Sequence, residues 1–318
     1  MNIIVTGSIA YDYLMSFPGS FSEHLLPDHL QKVSLSFLVD SMDKRRGGCA
    51  PNIAYTLALL GVQARLMGTA GQDFDDYRQW LQAAGVDTSL IQQVAGKFTA
   101  SFFCSTDKDG NQIASFYTGA MAHAGELSFR AAGGCDLAII APNDPGAMVQ
   151  YAAECRTLGI PYIFDPSQQV ARLSGEELQQ GVSGAEILIC NEYEFEIIRE
   201  KTGMNEETML ANARAVVVTR GEHGASIIQP EGAVQIPAVP PARIVDPTGV
   251  GDAFRGGFMK GMAMGASYEV CGRLGSVAAT YALEHMGGSS HAYTIEEFSA
   301  RYEAAFGAMM PAMPAASR

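Results

Sequence analysis

Five short runs built almost wholly from apolar and β-branched residues punctuate this chain: Ile3–Thr6, Leu137–Ile140, Tyr162–Phe164, Ile187–Ile189 and Val216–Val218. A strand with one wet face alternates apolar and polar residues. A strand without that alternation is covered on both faces, as in a parallel sheet packed between helices. The segments between these runs, Pro51–Leu60, Asp75–Ala84, Ala147–Leu158, Tyr193–Thr202 and Glu206–Arg214, have helical spacing. Strand, helix, strand repetition predicts an α/β fold with a doubly wound, mainly parallel sheet flanked by helices. Near the C-terminus, Ala253–Met264, Tyr268–Met286 and Ile295–Phe306 read as three successive helices. With 318 residues, 47% hydrophobic and 17% charged, the chain can bury one large core, so a single domain over 1–308 is expected,.

Two segments break the alternation. Ser34–Asp40, and the pair Thr99–Thr106 and Gln112–Tyr117 joined by Asp107-Lys-Asp-Gly-Asn111, read as antiparallel strands of a small β-rich lid drawn from about 11–46 and 97–121,. An ordinary hairpin on the edge of the main sheet is the alternative. The tail 309–318 has no packing pattern and is expected to be disordered,.

A formal charge of −13 argues against nucleic acid or an anionic membrane as partner, since both attract basic patches,. The six cysteines are scattered without a Cys-x-x-Cys pair, which predicts reduced thiols in a cytoplasmic protein and no zinc site,. The first fifteen residues carry Asp12 and no basic leader, and read as a first strand and turn, not as a signal peptide,. No apolar run approaches the roughly 20 residues of a membrane span.

The chemistry concentrates in Ile244-Val-Asp-Pro-Thr-Gly-Val-Gly-Asp-Ala-Phe-Arg-Gly-Gly-Phe258. Gly249 and Gly251 let backbone approach a ligand, and the first N–H groups of the following helix point at any anion held there. Gly249, Val250 and Gly251 thus read as anion-hole donors. Asp252 directly behind them reads as a general base beside a transferring phosphoryl group. A glycine-rich turn with a capping aspartate is the bland alternative. Asp12, just past the first strand, is placed to accept from two neighbouring hydroxyls, as a ribose or other vicinal diol presents them. Gly48 permits close approach, and Asn52 offers both a donor and an acceptor. Turn and helix-start roles are the alternatives for Asp12 and Asn52.

These segments resemble the signatures of the ribokinase and phosphofructokinase-B (PfkB) family of carbohydrate and nucleoside kinases. Gly47-Gly-Cys-Ala-Pro-Asn-Ile-Ala-Tyr-Thr-Leu-Ala-Leu-Leu-Gly61 is similar to its N-terminal signature, and Asp246-Pro-Thr-Gly-Val-Gly-Asp-Ala-Phe254 to its C-terminal one. Asp165-Pro166, Asn191-Glu-Tyr-Glu194 and Val218-Thr-Arg-Gly-Glu-His-Gly-Ala225 lie between them in family order. The resemblance implies a ribokinase-like fold and an ATP-dependent kinase. Asp12, Gly48 and Asn52 would bind the acceptor. Asn191 and the loop carrying Thr219, Arg220, Gly221 and Gly224 would hold ATP, and Glu194 would hold magnesium through water. It further implies a potassium site around Asp246, Thr248 and 286–291, although Pro247, Val250 and Ser290-His291 depart from the usual pattern.

Whole-segment similarity is greatest to bacterial nucleoside kinases of the adenosine type, with inosine, guanosine and cytidine as further acceptors. A free-sugar kinase and a non-catalytic nucleoside- or sugar-binding regulator are the alternatives, and a homodimer through the lids is a further expectation. Met15, Phe17, Phe37 and Phe116 are candidates to sandwich a base. Lys44-Arg45-Arg46 reads as a solvated loop or a phosphate neutraliser. His223 and His285 read as packing or surface residues, with contact to the nucleotide as the alternative.

Overall fold

The computed structural model describes residues 1–25 and 34–311. Its main sheet has nine strands in the order β13-β12-β11-β10-β9-β8-β1-β4-β5. The five apolar runs all fall in it, as β1 (Ile3–Thr6), β8 (Leu137–Ile140), β9 (Tyr162–Phe164), β10 (Ala185–Asn191) and β11 (Ala213–Thr219). β4 (Ala64–Ala70) and β5 (Ile91–Gln93) extend the sheet beyond β1, and all these neighbours pair in parallel. The antiparallel hairpin β12 (Ala225–Gln229) and β13 (Gly232–Ile236) closes the opposite edge.

Successive strand residues serve two different cores. Ile3, Val5, Ile187, Ile189 and Val217 face helices α1 (Cys49–Leu59), α7 (Val250–Ala263) and α8 (Tyr268–Leu283), while Ile4, Leu188, Cys190 and Val216 face α3 (Pro145–Leu158), α4 (Gly175–Val182) and α5 (Glu192–Thr202). This period of two with both faces covered is why the runs are almost wholly apolar. α2 (Asp75–Ala83) and α6 (Glu206–Leu210) complete the connections, and α9 (Ile295–Phe306) packs on α8. The helix expected over Glu206–Arg214 is shorter because Ala213 already begins β11, with Ala213 paired to Ala185. α4, opened by a reciprocal cap between Ser174 and Glu177, has no counterpart among the expected helices.

The second sheet, in the order β3-β2-β6-β7, combines β2 (Ala10–Ser16), β3 (Ser41–Gly47), β6 (Ala100–Thr106) and β7 (Gln112–Tyr117). The hairpin expected over Thr99–Thr106 and Gln112–Tyr117 is present as β6 and β7. The strand expected at Ser34–Asp40 is not formed. Ser41–Gly47 pairs instead with β2, from Ser16↔Ser41 to Ala10↔Gly47. The charged run Met42-Asp-Lys-Arg-Arg46 hides a strand from an apolar-pattern search. The apolar Phe37 is used elsewhere, against Phe17, Phe21 and His24. Part of the expected lid and most of the expected disordered tail, residues 26–33 and 312–318, lie outside the described residues. Among the described residues no helix is long and apolar enough to cross a membrane.

Chain order reverses at β1, which has β4 on one side and β8 on the other. Open α/β sheets form a crevice at the carboxyl ends of the strands flanking such a reversal. β2 rises directly from that edge, so the second sheet stands over the crevice.

Candidate active site

A cavity of about 420 Å³ occupies this crevice, and Asp12, Gly48, Asn52, Thr248, Gly249 and Asp252 all line it. Residues 240 positions apart in sequence are thus brought together by β2, the start of α1 and the start of α7. Phe102, Phe116 and Met121 add apolar walls from the second sheet and the turn after it, and Gln168 and Gln169 add amides from the segment after β9.

The turn before α7 has the conformation its sequence suggests. Gly249 caps the helix in the left-handed region at φ 77°, with no side-chain cap. A Cβ there would stand 2.3 Å from Gly288 Cα, so no other residue fits,. Gly48 is constrained likewise at φ 97°, with Ser8 O 2.4 Å from where a Cβ would sit. Val250 and Gly251 form the first helical positions, and Asp252 is the third.

Asn52 Nδ2 donates to Asp252 Oδ2 at 2.8 Å. Asn52 lines the cavity, and its Oδ1 is buried without a hydrogen-bond partner. Burial pushes the Asp252 carboxyl up to about 7, against the lowering influence of the Asn52 hydrogen bond and the Arg255 charge,. Burial also raises Asp12, which Arg45 partly offsets. At neutral pH Asp252 is therefore poised between its acid and base forms, the condition of an effective proton acceptor.

Behind Asp252 lies a fully desolvated ion pair. Arg255 Nη2 donates to Asp165 Oδ1 at 2.6 Å and its Nε donates to the other carboxylate oxygen, while Nη1 donates to Gly251 O at 3.0 Å. Sequence reasoning gave neither residue a role. Arg255, one helical turn from Asp252, carried the available signal; the meeting with Asp165, 90 positions away, carried none.

The expected nucleotide residues collect at the same sheet edge, outside the cavity. Asn191 and Thr219 are register partners at the ends of β10 and β11. Asn191 caps α5 reciprocally with Glu194: each backbone N–H donates to the other's side-chain oxygen at 2.8 Å. Ser167 Oγ donates to the second Glu194 oxygen at 3.4 Å. Arg220 N–H donates to Gly224 O at 2.7 Å, closing the loop that holds Gly221. The Arg220 guanidinium reaches Glu192 at 3.3 Å.

Asp246 is engaged by its own chain. Its oxygens accept from Thr248 N–H and Gly287 N–H, both at 2.9 Å, and Arg45 Nη1 lies 3.3 Å away. Burial opposes ionisation here, but these hydrogen bonds and the Arg45 charge hold the carboxyl below its ordinary range. Among the described residues no group of three His, Cys, Asp or Glu could hold a metal ion directly.

The basic run is strand and not loop, although Lys44 and Arg46 remain exposed. Arg45 pairs with Asp43 as well as Asp246, Lys44 Nζ lies 3.8 Å from the centre of the Tyr11 ring, and Arg46 stacks on Trp80 at 5.0 Å. Of the aromatic candidates, Phe116 lines the cavity. Phe17 and Phe37 pack against each other with ring centres 5.0 Å apart, and neither they nor Met15 line it. His223 is exposed beside Glu222, and His285 bonds within its own helix turn to Tyr281 O. A larger concavity of about 780 Å³, lined by Arg156, Glu186 and Arg214 among others, lies at the opposite edge of the sheet and contains none of the expected site residues.

Residues 8–294 match the PfkB family of carbohydrate kinases. The chain belongs to that family, and is accordingly a phosphotransferase with a hydroxyl acceptor. A nucleoside kinase of Burkholderia thailandensis, solved in complex with inosine, is 40% identical, with 96% of this chain and 99% of that one covered at a TM-score of 0.84. A Methanothermobacter thermautotrophicus nucleoside kinase is 31% identical over 96% of this chain and 97% of its own length. The solved nucleoside kinase of Methanocaldococcus jannaschii is 28% identical, covers 96% of this chain and 99% of its own, and has a TM-score of 0.85.

Proposed function

We propose that this protein is an ATP-dependent nucleoside kinase that phosphorylates the ribose 5′-hydroxyl, of the adenosine type and broad enough to take inosine, guanosine or cytidine. The observation that carries the reading is the convergence of Asp12, Asn52 and Asp252 on one cavity at the N-terminus of α7. The Burkholderia enzyme's complex with inosine supports a nucleoside over a free sugar.

In this reading Asp12 accepts from the two ribose ring hydroxyls, beside the backbone of Gly48. Asn52 lines the acceptor cavity while its Nδ2 steadies Asp252. Asp252 takes the proton from O5′ as the bond from O5′ to the γ-phosphorus forms. The bond from that phosphorus to the β,γ-bridging oxygen breaks, and ADP leaves. Gly249, Val250 and Gly251 supply N–H groups to the phosphoryl oxygens, aided by the positive end of α7.

Asn191, Thr219, Arg220, Gly221 and Gly224 hold the nucleotide. Glu194, turned inward by its cap, suits a hydrated magnesium ion better than a directly bound one,. When bound, the ion neutralises phosphate charge. Because the Asp246 carboxylate already faces Arg45, potassium would be held by main-chain oxygens around Asp246 and Thr248. We further propose one kinase unit over 1–308, acting in the cytoplasm, with dimerisation through the exposed strand β7 of the lid.

The test is ADP release from ATP and magnesium against adenosine, inosine, guanosine, cytidine, ribose and fructose, with potassium or tetramethylammonium as the monovalent ion. Turnover with nucleosides is expected. kcat/KM should rise with pH through about 7 as Asp252 ionises,. Asp252→Asn should lose about 10² to 10⁴ in kcat. Near-normal turnover by this variant sinks the assignment, and turnover with ribose or fructose alone moves the acceptor to free sugars.

A further inference from the structure

We propose that Asp165 is a positioning residue that holds the Arg255 guanidinium away from Asp252, so that the carboxylate remains free to take the acceptor's proton. The inference rests on Asp252 being the base. Asp252 and Arg255 are three residues apart on α7, the spacing at which opposite charges on a helix normally pair,. Here they do not. Both carboxylate oxygens of Asp165 grip the guanidinium through Nε and Nη2, and the third nitrogen is occupied by Gly251 O. Arg255 is 6% exposed and Asp165 1%, so water does not compete for these bonds. Asp252 is bonded instead to neutral groups of α1, the amide of Asn52 and, more weakly, the thiol of Cys49.

The arrangement does two things. A direct ion pair would satisfy Asp252 and quench its basicity; the two-pronged grip of Asp165 prevents one while leaving the positive charge close enough to favour the carboxylate. The bond to Gly251 O fixes the peptide plane between Gly251 and Asp252. Its N–H therefore points away from the guanidinium, out of the helix start and toward the proposed phosphoryl position,. The groups around Asp252 are Asn52 and Cys49 from α1, Arg255 on its own helix and Asp165 after β9. Asp12 stands across the cavity on β2, and Glu194 lies behind the pair. Arg255 lowers the Asp252 carboxyl more than Asp165 raises it.

Two substitutions should therefore move the acid limb of kcat/KM in opposite directions. In Asp165→Asn the neutral amide loses its grip, Arg255 turns toward Asp252, and the limb moves to lower pH. kcat should fall about tenfold or more while the nucleoside KM stays within about threefold, because the loss falls on the reacting group. In Arg255→Met the limb moves to higher pH. Limbs that move together, or stay at the wild-type pH, overturn the proposal.

Breaking a buried pair is destabilising, so thermal melts accompany each variant. If either fails to fold, Arg255→Lys replaces it: the charge remains, the two-pronged grip is lost, and the limb should move down; an unmoved limb overturns the proposal. Asp252→Asn separates the two readings. If it retains turnover, the base assignment has failed. If it is inactive and the limbs above are unmoved, the clamp alone has failed.

Discussion

The two sheets of this molecule are stabilised in different ways. Strands β1, β8 and β9 of the main sheet are buried at every residue, whereas every residue of β7 in the second sheet is exposed. A main-sheet side chain leaves water on folding and finds neighbours on both faces. Burying a leucine or isoleucine in this way is worth about 1.5–3 kcal/mol. The second sheet has one face toward the crevice, and its strands gain far less from burial. The contrast separates the duties: the main sheet holds the turn before α7 and the ends of β9, β10 and β11, while the second sheet brings Asp12, Phe102 and Phe116 over the cavity.

Paired substitutions test that division. Leu188→Ala, fully buried between Phe164 of β9 and Val216 of β11, should cost about 2–5 kcal/mol in urea unfolding,. A cost under 1 kcal/mol would mean that the main sheet is not where stability resides.

The next effect is read by pH. His291 is fully buried, with its Nδ1 unpartnered, and burial pushes its imidazole from 6.5 down to about 4. Its folded form thus binds fewer protons than its unfolded form between those values. The linked stability is complete above pH 6.5 and is lost as pH falls toward 4, roughly 3 kcal/mol in all. The raised Asp252 carboxyl acts in the opposite sense, so the measurement is the difference between wild type and His291→Gln, whose unfolding free energy should fall less steeply over that window. Equal slopes would show that His291 titrates normally.

The smallest stability effect is expected in the second sheet. Phe116 is 48% exposed, and Phe116→Ala should change stability by no more than about 0.5–1 kcal/mol while raising the nucleoside KM,. A loss as large as that of Leu188→Ala would erase the distinction between the two sheets, and an unchanged KM would remove Phe116 from the acceptor pocket.

Much of this was legible in the chain. The five apolar runs specified the parallel sheet because a strand buried on both faces has almost no place for polar side chains. Gly249 marked the helix-start turn because φ above zero and close approach to the Gly288 backbone demand glycine there, and Gly251 and Asp252 follow it in the first turn of α7. The hairpin of β6 and β7 was marked by its Asp-Gly turn. Strand β3 was not legible: Lys44, Arg45 and Arg46 are tolerated there because Tyr11, Asp246 and Trp80 receive them, and those partners come from distant segments. The capping of Glu194 by Asn191 was local and fixed by a three-residue spacing. The pairing of Asp165 with Arg255, the donation from Asn52 to Asp252 and the order of the strands were decided by the tertiary structure alone. Local sequence governs backbone torsions and which faces are apolar, but the partner of a buried charge is whichever group the packed chain brings within reach.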